Sequence, residues 1–170
     1  PPLVATAIGM ILVITLYIIA SGISIKRVEI WVTNKTASTT NNRNIIALAD
    51  LGENSQVSNP IWTINNEYRV PANRANSLYD MLVNNYAGAR DISQATGVLD
   101  QIPGFEGSVD YEKLQSARLL SSSEYSVNQA LGYVSLNSTL QTDDVLAIAY
   151  EYTYGGTTYQ VGEFAADLSN

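Results

Sequence analysis

Residues 149–164 read AYEYTYGGTTYQVGEF, and they decide the fold because they place two strand-like arms around a Gly-Gly pair. Glycine adopts the positive φ angles that a two-residue hairpin turn requires, so Gly155 and Gly156 predict the turn. The first arm extends back through DDVLAIAYEYTY, and the second arm is TTYQVGEF. Successive residues of a strand point to opposite faces, so the tyrosines of the first arm form a stripe. One face carries Tyr150, Tyr152 and Tyr154, and the other carries Val145, Ala147, Ala149, Glu151 and Thr153.

Strand-like runs recur outside this hairpin. The run KRVEIWVT (26–33) alternates cleanly, with Val28, Ile30 and Val32 on the face predicted to be buried. A second strand is predicted at IIALAD (45–50), and EYSV and GYVSL predict two more that are joined by a turn at NQALG. From Val109 onward we expect strands, although the composition of YEKLQSARLL also tolerates a helix.

The period of the apolar residues changes in the middle of the chain. They recur at helical spacing through ANRANSLYDMLVNNY, with Pro71 near the first turn. The sequence AGARD breaks this helix, and Asp91 is placed to cap a second, shorter helix in ISQATGVLDQI. These patterns predict a mainly β domain over residues 26–170 with a helical insert at about 72–101. The predicted fold class is α+β, mainly β, with antiparallel strands, hairpins and one or two short helices near the middle.

The first 25 residues form an uncharged apolar segment, since the first charged side chain is that of Lys26. Its length and lack of charge fit a membrane-spanning helix. Its many β-branched residues fit buried strands equally well, so both alternatives stay open. The chain begins at Pro1 without an initiator methionine, and we expect it to be part of a longer protein.

The composition excludes several classes of function. The formal net charge of −7 argues against nucleic acid as a partner, because binding phosphates requires a basic patch. The chain contains no cysteine and no histidine, which excludes Ser-His-Asp and Cys-His catalysis within it and most zinc sites. We therefore predict no enzymatic activity, no catalytic residue, no cofactor and no metal site. An enzymatic alternative would need a carboxylate pair from distant residues such as Glu151 and Glu163.

The candidate site is a possible interface made of aromatic side chains. Tyrosines on a strand can stack on sugars or on a partner protein. They also pair across strands and stabilise a sheet without binding a ligand. The residues concerned are Tyr150, Tyr152, Tyr154, Tyr159 and Trp31.

Asp143 and Asp144 form the only adjacent acidic pair in the sequence. Neighbours on a strand point to opposite faces, so these two carboxylates cannot readily share a substrate. The pair predicts a turn before the strand that follows, and a calcium site is the alternative.

Four long stretches, in this order and spacing, resemble one known family. The first two are RVEIWVTNKT and NNRNIIALADLGE, and the others are DYEKLQSARLLSSSEYSVNQALGYVSLN and DDVLAIAYEYTYGGTTYQVGEF. They are similar to segments in the amino-terminal half of the SprA/Sov family, the giant outer-membrane proteins of Bacteroidetes that act in gliding motility and type IX secretion. The resemblance covers about residues 21–167.

This resemblance implies that the chain is part of a giant outer-membrane β-barrel protein, the translocon through which folded cargo leaves the cell. The implied location is the bacterial outer membrane, and the implied role is transport rather than catalysis. The implied partners are a PorV-like outer-membrane shuttle protein, a plug protein, a periplasmic peptidyl-prolyl isomerase, secreted cargo with a C-terminal sorting domain, and outer-membrane lipid. The tyrosine hairpin would then continue a sheet in the translocon or pack a lobe beside it.

A different class of function also fits the residues. The chain could be a cell-surface adhesive or carbohydrate-binding β module that uses the tyrosine stripe.

Overall fold

The computed structural model describes residues 3–8 (as backbone), 22–36, 39–129 and 132–168. This part of the chain contains eight strands, two short α-helices and two 3-10 turns. The strands are β1 (Leu3–Ile8), β2 (Ser24–Val32), β3 (Asn42–Leu48), β4 (Tyr111–Leu119), β5 (Tyr125–Asn128), β6 (Tyr133–Leu136), β7 (Leu146–Tyr154) and β8 (Thr157–Val161). The helices are α1 (Leu78–Asn85) and α2 (Ala95–Leu99), and the 3-10 turns are Ala87–Arg90 and Ala165–Asp167. The predicted class, α+β and mainly β, is confirmed.

Six strands form one sheet in the order β1-β3-β4-β2-β7-β8. Their pairings are antiparallel except that of β1 with β3, which is parallel. Strand β1 also pairs with β7, so the sheet closes on itself through β1. Strand β7 therefore has three partners: β2 along nearly all of one edge, and β1 followed by β8 along the other. Strands β5 and β6, which the sequence predicts as two strands joined by a turn, pair with each other in a separate two-stranded sheet.

The closing hairpin has the predicted turn. Gly155 and Gly156 have φ angles of 57° and 83°, which a residue with a Cβ adopts only with strain. The two arms pair in register from Tyr154 opposite Thr157 to Tyr150 opposite Val161. This short turn fixes which side chains of β8 share a face with the tyrosines of β7.

The ambiguous segment at residues 111–120 is mostly strand β4, which pairs with β3 and with the end of β2. Its register against β3 shifts between Arg43 and Ile45, and Ser116 has a positive φ of 52°. The Ser116 N–H donates to Asn44 Oδ1 at 3.0 Å, so the Asn44 side chain satisfies the backbone at this irregularity. The resulting bulge explains why the residues of β4 do not alternate strictly between buried and exposed positions.

All residues between β3 and β4 form one insert, residues 49–110, which contains both α-helices. Its two ends meet, because Leu48 lies opposite Tyr111 and the Ala49 N–H donates to the Asp110 carbonyl oxygen at 2.9 Å. The insert is therefore a long excursion within the β3–β4 hairpin. It extends across the sheet as far as β8, where the Asn73 N–H donates to the Gln160 carbonyl oxygen at 2.8 Å.

The predicted helix boundaries were wrong in two places. Helix α1 begins at Leu78 and not near Pro71, because the residues after Pro71 bind the sheet instead of forming a helical turn. The Leu78 N–H donates to Asn76 Oδ1 at 3.0 Å at the true start of the helix. Helix α2 begins at Ala95, so Asp91 does not cap it. Asp91 Oδ1 instead accepts a hydrogen bond from the Ser93 N–H at 2.9 Å.

Apolar side chains are buried on both faces of the sheet. On the face toward the insert, the first cluster contains Ile46, Leu48, Leu51, Trp62, Leu78, Leu82, Ala89, Ala95, Leu99, Ile102, Phe105, Tyr111 and Val161. The second cluster on this face contains Ile30, Val32, Leu120, Leu146 and Ile148, and Tyr150 packs against both clusters. The opposite face buries Trp31, Ile45, Ala47, Leu114, Ala117 and Ala147. The prediction of a single buried face for β2 was therefore wrong at Trp31.

The first 25 residues contain strand β1 and the beginning of β2. Of the two alternatives for this segment, the strand is found at Leu3–Ile8, while residues 9–21 lie outside the described residues. Within the described part of the chain, no helix is both long enough and apolar enough to cross a membrane.

Replacing Gly52 with alanine should lower the free energy of unfolding by about 2–4 kcal/mol. Gly52 has a φ of +80°, and an added Cβ would lie 2.7 Å from both γ carbons of Val161. Urea denaturation followed by tryptophan fluorescence measures this loss. The matched control is Gly97→Ala, since nothing lies within 4 Å of the added Cβ there and alanine favours helix α2. Equal losses in the two variants would contradict the close approach of Gly52 to β8.

Candidate functional site

The tyrosine stripe is a stack of three aromatic rings on the β7–β8 hairpin. The ring centroids of Tyr150 and Tyr152 lie 6.0 Å apart with an interplanar angle of 29°. Those of Tyr152 and Tyr159 lie 5.6 Å apart with an angle of 25°. Tyr154 follows on the same face but is 37% exposed. The structure thus brings together the four tyrosines that the sequence singles out, and three of them use their ring faces mainly on one another.

The insert covers the middle of this stack. The Tyr152 hydroxyl donates to the Pro71 carbonyl oxygen at 2.5 Å, and the Tyr152 side chain is only 4% exposed. Burial raises the pKa of Tyr150 and the pKa of Tyr152 well above the ordinary tyrosine value. Tyr152 therefore offers no surface to a partner while the insert is in place, which corrects its predicted role as an interface residue. Tyr154 is the exposed member of the stripe, and Tyr159 is partly exposed.

Trp31 lies on the opposite face of the sheet from the tyrosines. It is 2% exposed, and its indole N–H donates to Glu29 Oε2 at 3.2 Å. In the register of β2 against β7 it lies opposite Ala147, whose small side chain leaves room for the indole ring. Trp31 is a core residue, so its predicted interface role is also corrected.

Asn73 is a functional candidate that sequence reasoning missed. Besides the bond from its backbone to Gln160, its side chain makes two bonds to Gly162 at the end of β8. Asn73 Oδ1 accepts from the Gly162 N–H at 2.7 Å, and Nδ2 donates to the Gly162 carbonyl oxygen at 3.1 Å. No local pattern marks this residue, because asparagine is common in loops of every kind.

Glu163, Arg90 and Tyr79 form a polar clasp between the insert and the end of the sheet. Arg90 Nη1 donates to Glu163 Oε2 at 2.7 Å, Arg90 Nη2 donates to Glu163 Oε1, and the Tyr79 hydroxyl donates to Oε1 at 3.0 Å. The hydrogen bonds to Glu163 raise the pKa of Arg90. Burial, and then the neighbouring Glu163, raise the pKa of Tyr79 to about 12. Both oxygens of Glu163 are thus engaged, and the carboxylate holds the fold together.

Two further buried carboxylates, those of Asp50 and Asp110, hold the two ends of the insert together. Asp50 accepts from the N–H groups of Ser58 and Asn59 at 2.7 and 2.8 Å. The Asn59 side chain donates to Asp110 Oδ1 at 3.0 Å, and the other Asp110 oxygen accepts from the Glu106 N–H at 2.7 Å. Each carboxylate oxygen has a partner, as buried charges require. Among the residues described, no group of three or more His, Cys, Asp or Glu could hold a metal ion.

The acidic pair Asp143-Asp144 lies in the predicted turn before β7. Lys35 pairs with both carboxylates, and its Nζ lies 2.8 Å from Asp144 Oδ1. Asp144 Oδ2 also accepts from the Gln141 N–H at 2.7 Å. This arrangement is a turn tied to the end of β2 by one lysine.

Two comparisons of the sequence with known proteins give no match from which a function could be transferred. No protein-family model matches this chain, and no curated protein sequence matches it.

Replacing Arg90 with methionine should lower the free energy of unfolding by about 3 kcal/mol, because Glu163 would be left buried without its cation. The double variant Arg90→Met/Glu163→Leu should recover at least half of this loss, since it removes both charges. The control is Arg74→Met, which breaks an exposed pair with Asp80 and should cost less than about 0.5 kcal/mol. Urea denaturation gives all three values. A loss at Arg90 no larger than that at Arg74 would show that the clasp contributes no more than a surface pair.

The raised pKa of Tyr79 predicts a specific weakening of the fold at alkaline pH. The folded protein keeps a proton that the unfolded chain releases above pH 10, so this contribution is complete below pH 10 and is lost as pH rises to about 12. The free energy of unfolding should therefore fall less steeply between pH 10 and 12 in Tyr79→Phe than in the parent protein. Tyr154→Phe, at an exposed position, should follow the parent. Identical slopes for Tyr79→Phe and the parent would rule out the buried contact of Tyr79 with Glu163.

Proposed function

We propose that this chain is a segment of the outer-membrane translocon of the type IX secretion system, of the SprA/Sov kind. Its role is structural, in the export of folded cargo and in gliding motility. The observation that carries the proposal is the order and spacing of the four sequence stretches that resemble this family. These stretches contribute β2, β3, β4, β5, β6, β7 and β8, so the resemblance runs through the framework of the fold and not through one local motif.

The distribution of polar chemistry supports a non-catalytic role. The buried carboxylates Asp50, Asp110 and Glu163 are engaged by backbone N–H groups, an amide, a guanidinium and a hydroxyl. Carboxylates held in this way serve the fold, because their oxygens already accept hydrogen bonds from the protein. Glu163, one of the two residues that an enzymatic alternative would need, belongs to this group.

On this proposal the protein belongs to the bacterial outer membrane and works with the other parts of the secretion machinery. Its partners are a PorV-like shuttle protein, a plug protein, a periplasmic peptidyl-prolyl isomerase and cargo with a C-terminal sorting domain. The carbohydrate-binding alternative receives less support from the geometry. A sugar platform needs open ring faces, whereas Tyr150 and Tyr152 stack on each other, Tyr152 is buried and Tyr150 is partly buried.

Two measurements in the source cells test this proposal. An antibody raised against residues 26–170 should detect a band far above 18.5 kDa in the outer-membrane fraction. Introducing Gly52→Ala into the chromosomal gene should reduce the amount of secreted cargo severalfold, because it disturbs the contact between insert and sheet, whereas Gly97→Ala should leave secretion unchanged. A soluble band near 18.5 kDa, or normal secretion after deletion of the segment, would overturn the proposal.

A further inference from the structure

We propose that the outer edge of β8 is a strand-addition site for an extended peptide segment of a partner protein. In the structure Asn73 occupies part of this edge as an intramolecular placeholder. This inference does not rest on the function proposed above.

The register of the hairpin determines which backbone groups face outward. A two-residue turn makes Tyr154 and Thr157 a hydrogen-bonded pair, and such pairs alternate along antiparallel strands. The N–H and carbonyl groups of Thr158 and Gln160 therefore point away from β7. The hydrogen bond from the Asn73 N–H to the Gln160 carbonyl oxygen agrees with this alternation.

Asn73 binds backbone groups of Gln160 and Gly162 at one end of this edge, as a neighbouring strand would. Its backbone N–H binds Gln160, and its side-chain amide supplies an acceptor and a donor to Gly162, whose carbonyl oxygen also accepts from Gln160 Nε2 at 2.8 Å. A side-chain amide carries the same pair of groups as a peptide bond, so the occupant shows which chemistry the edge accepts. The N–H and carbonyl of Thr158 and the N–H of Gln160 remain without a protein partner among the described residues, and Thr158 is exposed.

The side chains along β8 indicate the sequence that fits. Alternate residues of an added strand would lie beside Tyr159, where the aromatic stack ends, and those residues should be apolar or aromatic. The other residues would lie beside Thr158 and Gln160 and near Glu151, where neutral or basic side chains fit better than acidic ones. The edge from Thr158 to Gly162 matches a segment of about five residues.

Charge favours a different protein over a second copy of this chain as the source of the strand. Each copy carries a formal net charge of −7, so two copies that meet edge to edge repel each other. An unpaired edge of this kind recruits strands from other chains unless it is blocked. Asn73 blocks it only partly, because a peptide that displaces Asn73 regains the three bonds and adds those to Thr158.

The test uses the full 170-residue chain and the fluorescently labelled peptide acetyl-TVTYTVT-amide, with binding followed by anisotropy. We expect saturable binding that becomes about tenfold tighter in Asn73→Ala, because the peptide no longer has to displace the placeholder. Thr158→Pro should abolish binding, since it removes an outward N–H without removing a bond to β7, and Thr158→Ala should bind as the parent does. Hydrogen exchange at the Thr158 and Gln160 amides should slow when peptide is bound.

Two N-methylated peptides make the test specific for the backbone. Methylating one alternate set of amides should abolish binding, and methylating the other set should change it less than about threefold. If Asn73→Ala does not fold, Asn73→Ser takes its place, and the methylated peptides still test the parent protein. The proposal is overturned if no saturable binding occurs up to about 1 mM, or if binding is indifferent to both methylation and Thr158→Pro. If the peptide does not bind, and sedimentation shows a dimer that Thr158→Pro abolishes, the assignment to a partner peptide is overturned. The edge would then bind a second copy of this chain.

Discussion

Strand β7 is the element on which the rest of the structure depends, because three other strands take their hydrogen bonds from it. Its pairing with β2 spans nearly its full length, while β1 and β8 divide its other edge. Over residues 146–149 this strand is also buried on both faces. Ala147 and Ala149 are fully buried on one face, where the larger Trp31 lies opposite Ala147. Ile148, Tyr150 and Tyr152 lie on the other face, beneath the insert and the β5–β6 hairpin.

The insert covers the face of the sheet that carries the tyrosines. Without the insert, this face would be exposed apolar surface. The apolar residues of the insert provide the burial, but apolar contacts alone leave a cover free to shift. Three sets of directional bonds fix it in place. They are the Asp50–Asn59–Asp110 network at the two ends of the insert, the bonds of Pro71 and Asn73 to the hairpin, and the clasp of Arg90 on Glu163. Each buried carboxylate in these sets accepts hydrogen bonds, and Glu163 is also paired with Arg90, which limits the desolvation cost.

The same contacts give the tyrosine hairpin two different surfaces. Its face is closed by stacking and by the insert, so it contributes chiefly to the packing of the domain. Part of its edge is bound by the backbone and the side chain of Asn73. These properties are compatible with the function and the strand-addition site proposed above, since the framework would provide a stable unit and the edge a place for an extended chain. The groups that bind at such an edge are backbone N–H and carbonyl groups, so no side-chain motif in the sequence marks it.

The sequence by itself determined the elements whose signals are local. The glycine pair fixed the turn at 155–156, alternation fixed β2 and β7, and the change of period placed the helices within residues 72–101. Even there the start of α1 depended on tertiary structure, because Pro71 and Asn73 bind the sheet instead of opening the helix. Only the tertiary structure decided that Trp31 and Tyr152 are buried, and that Arg90 meets a carboxylate 73 residues further along the chain. The physical reason is that periodicity and turn chemistry act over a few residues, whereas burial and ion pairing depend on which surfaces the folded chain brings together.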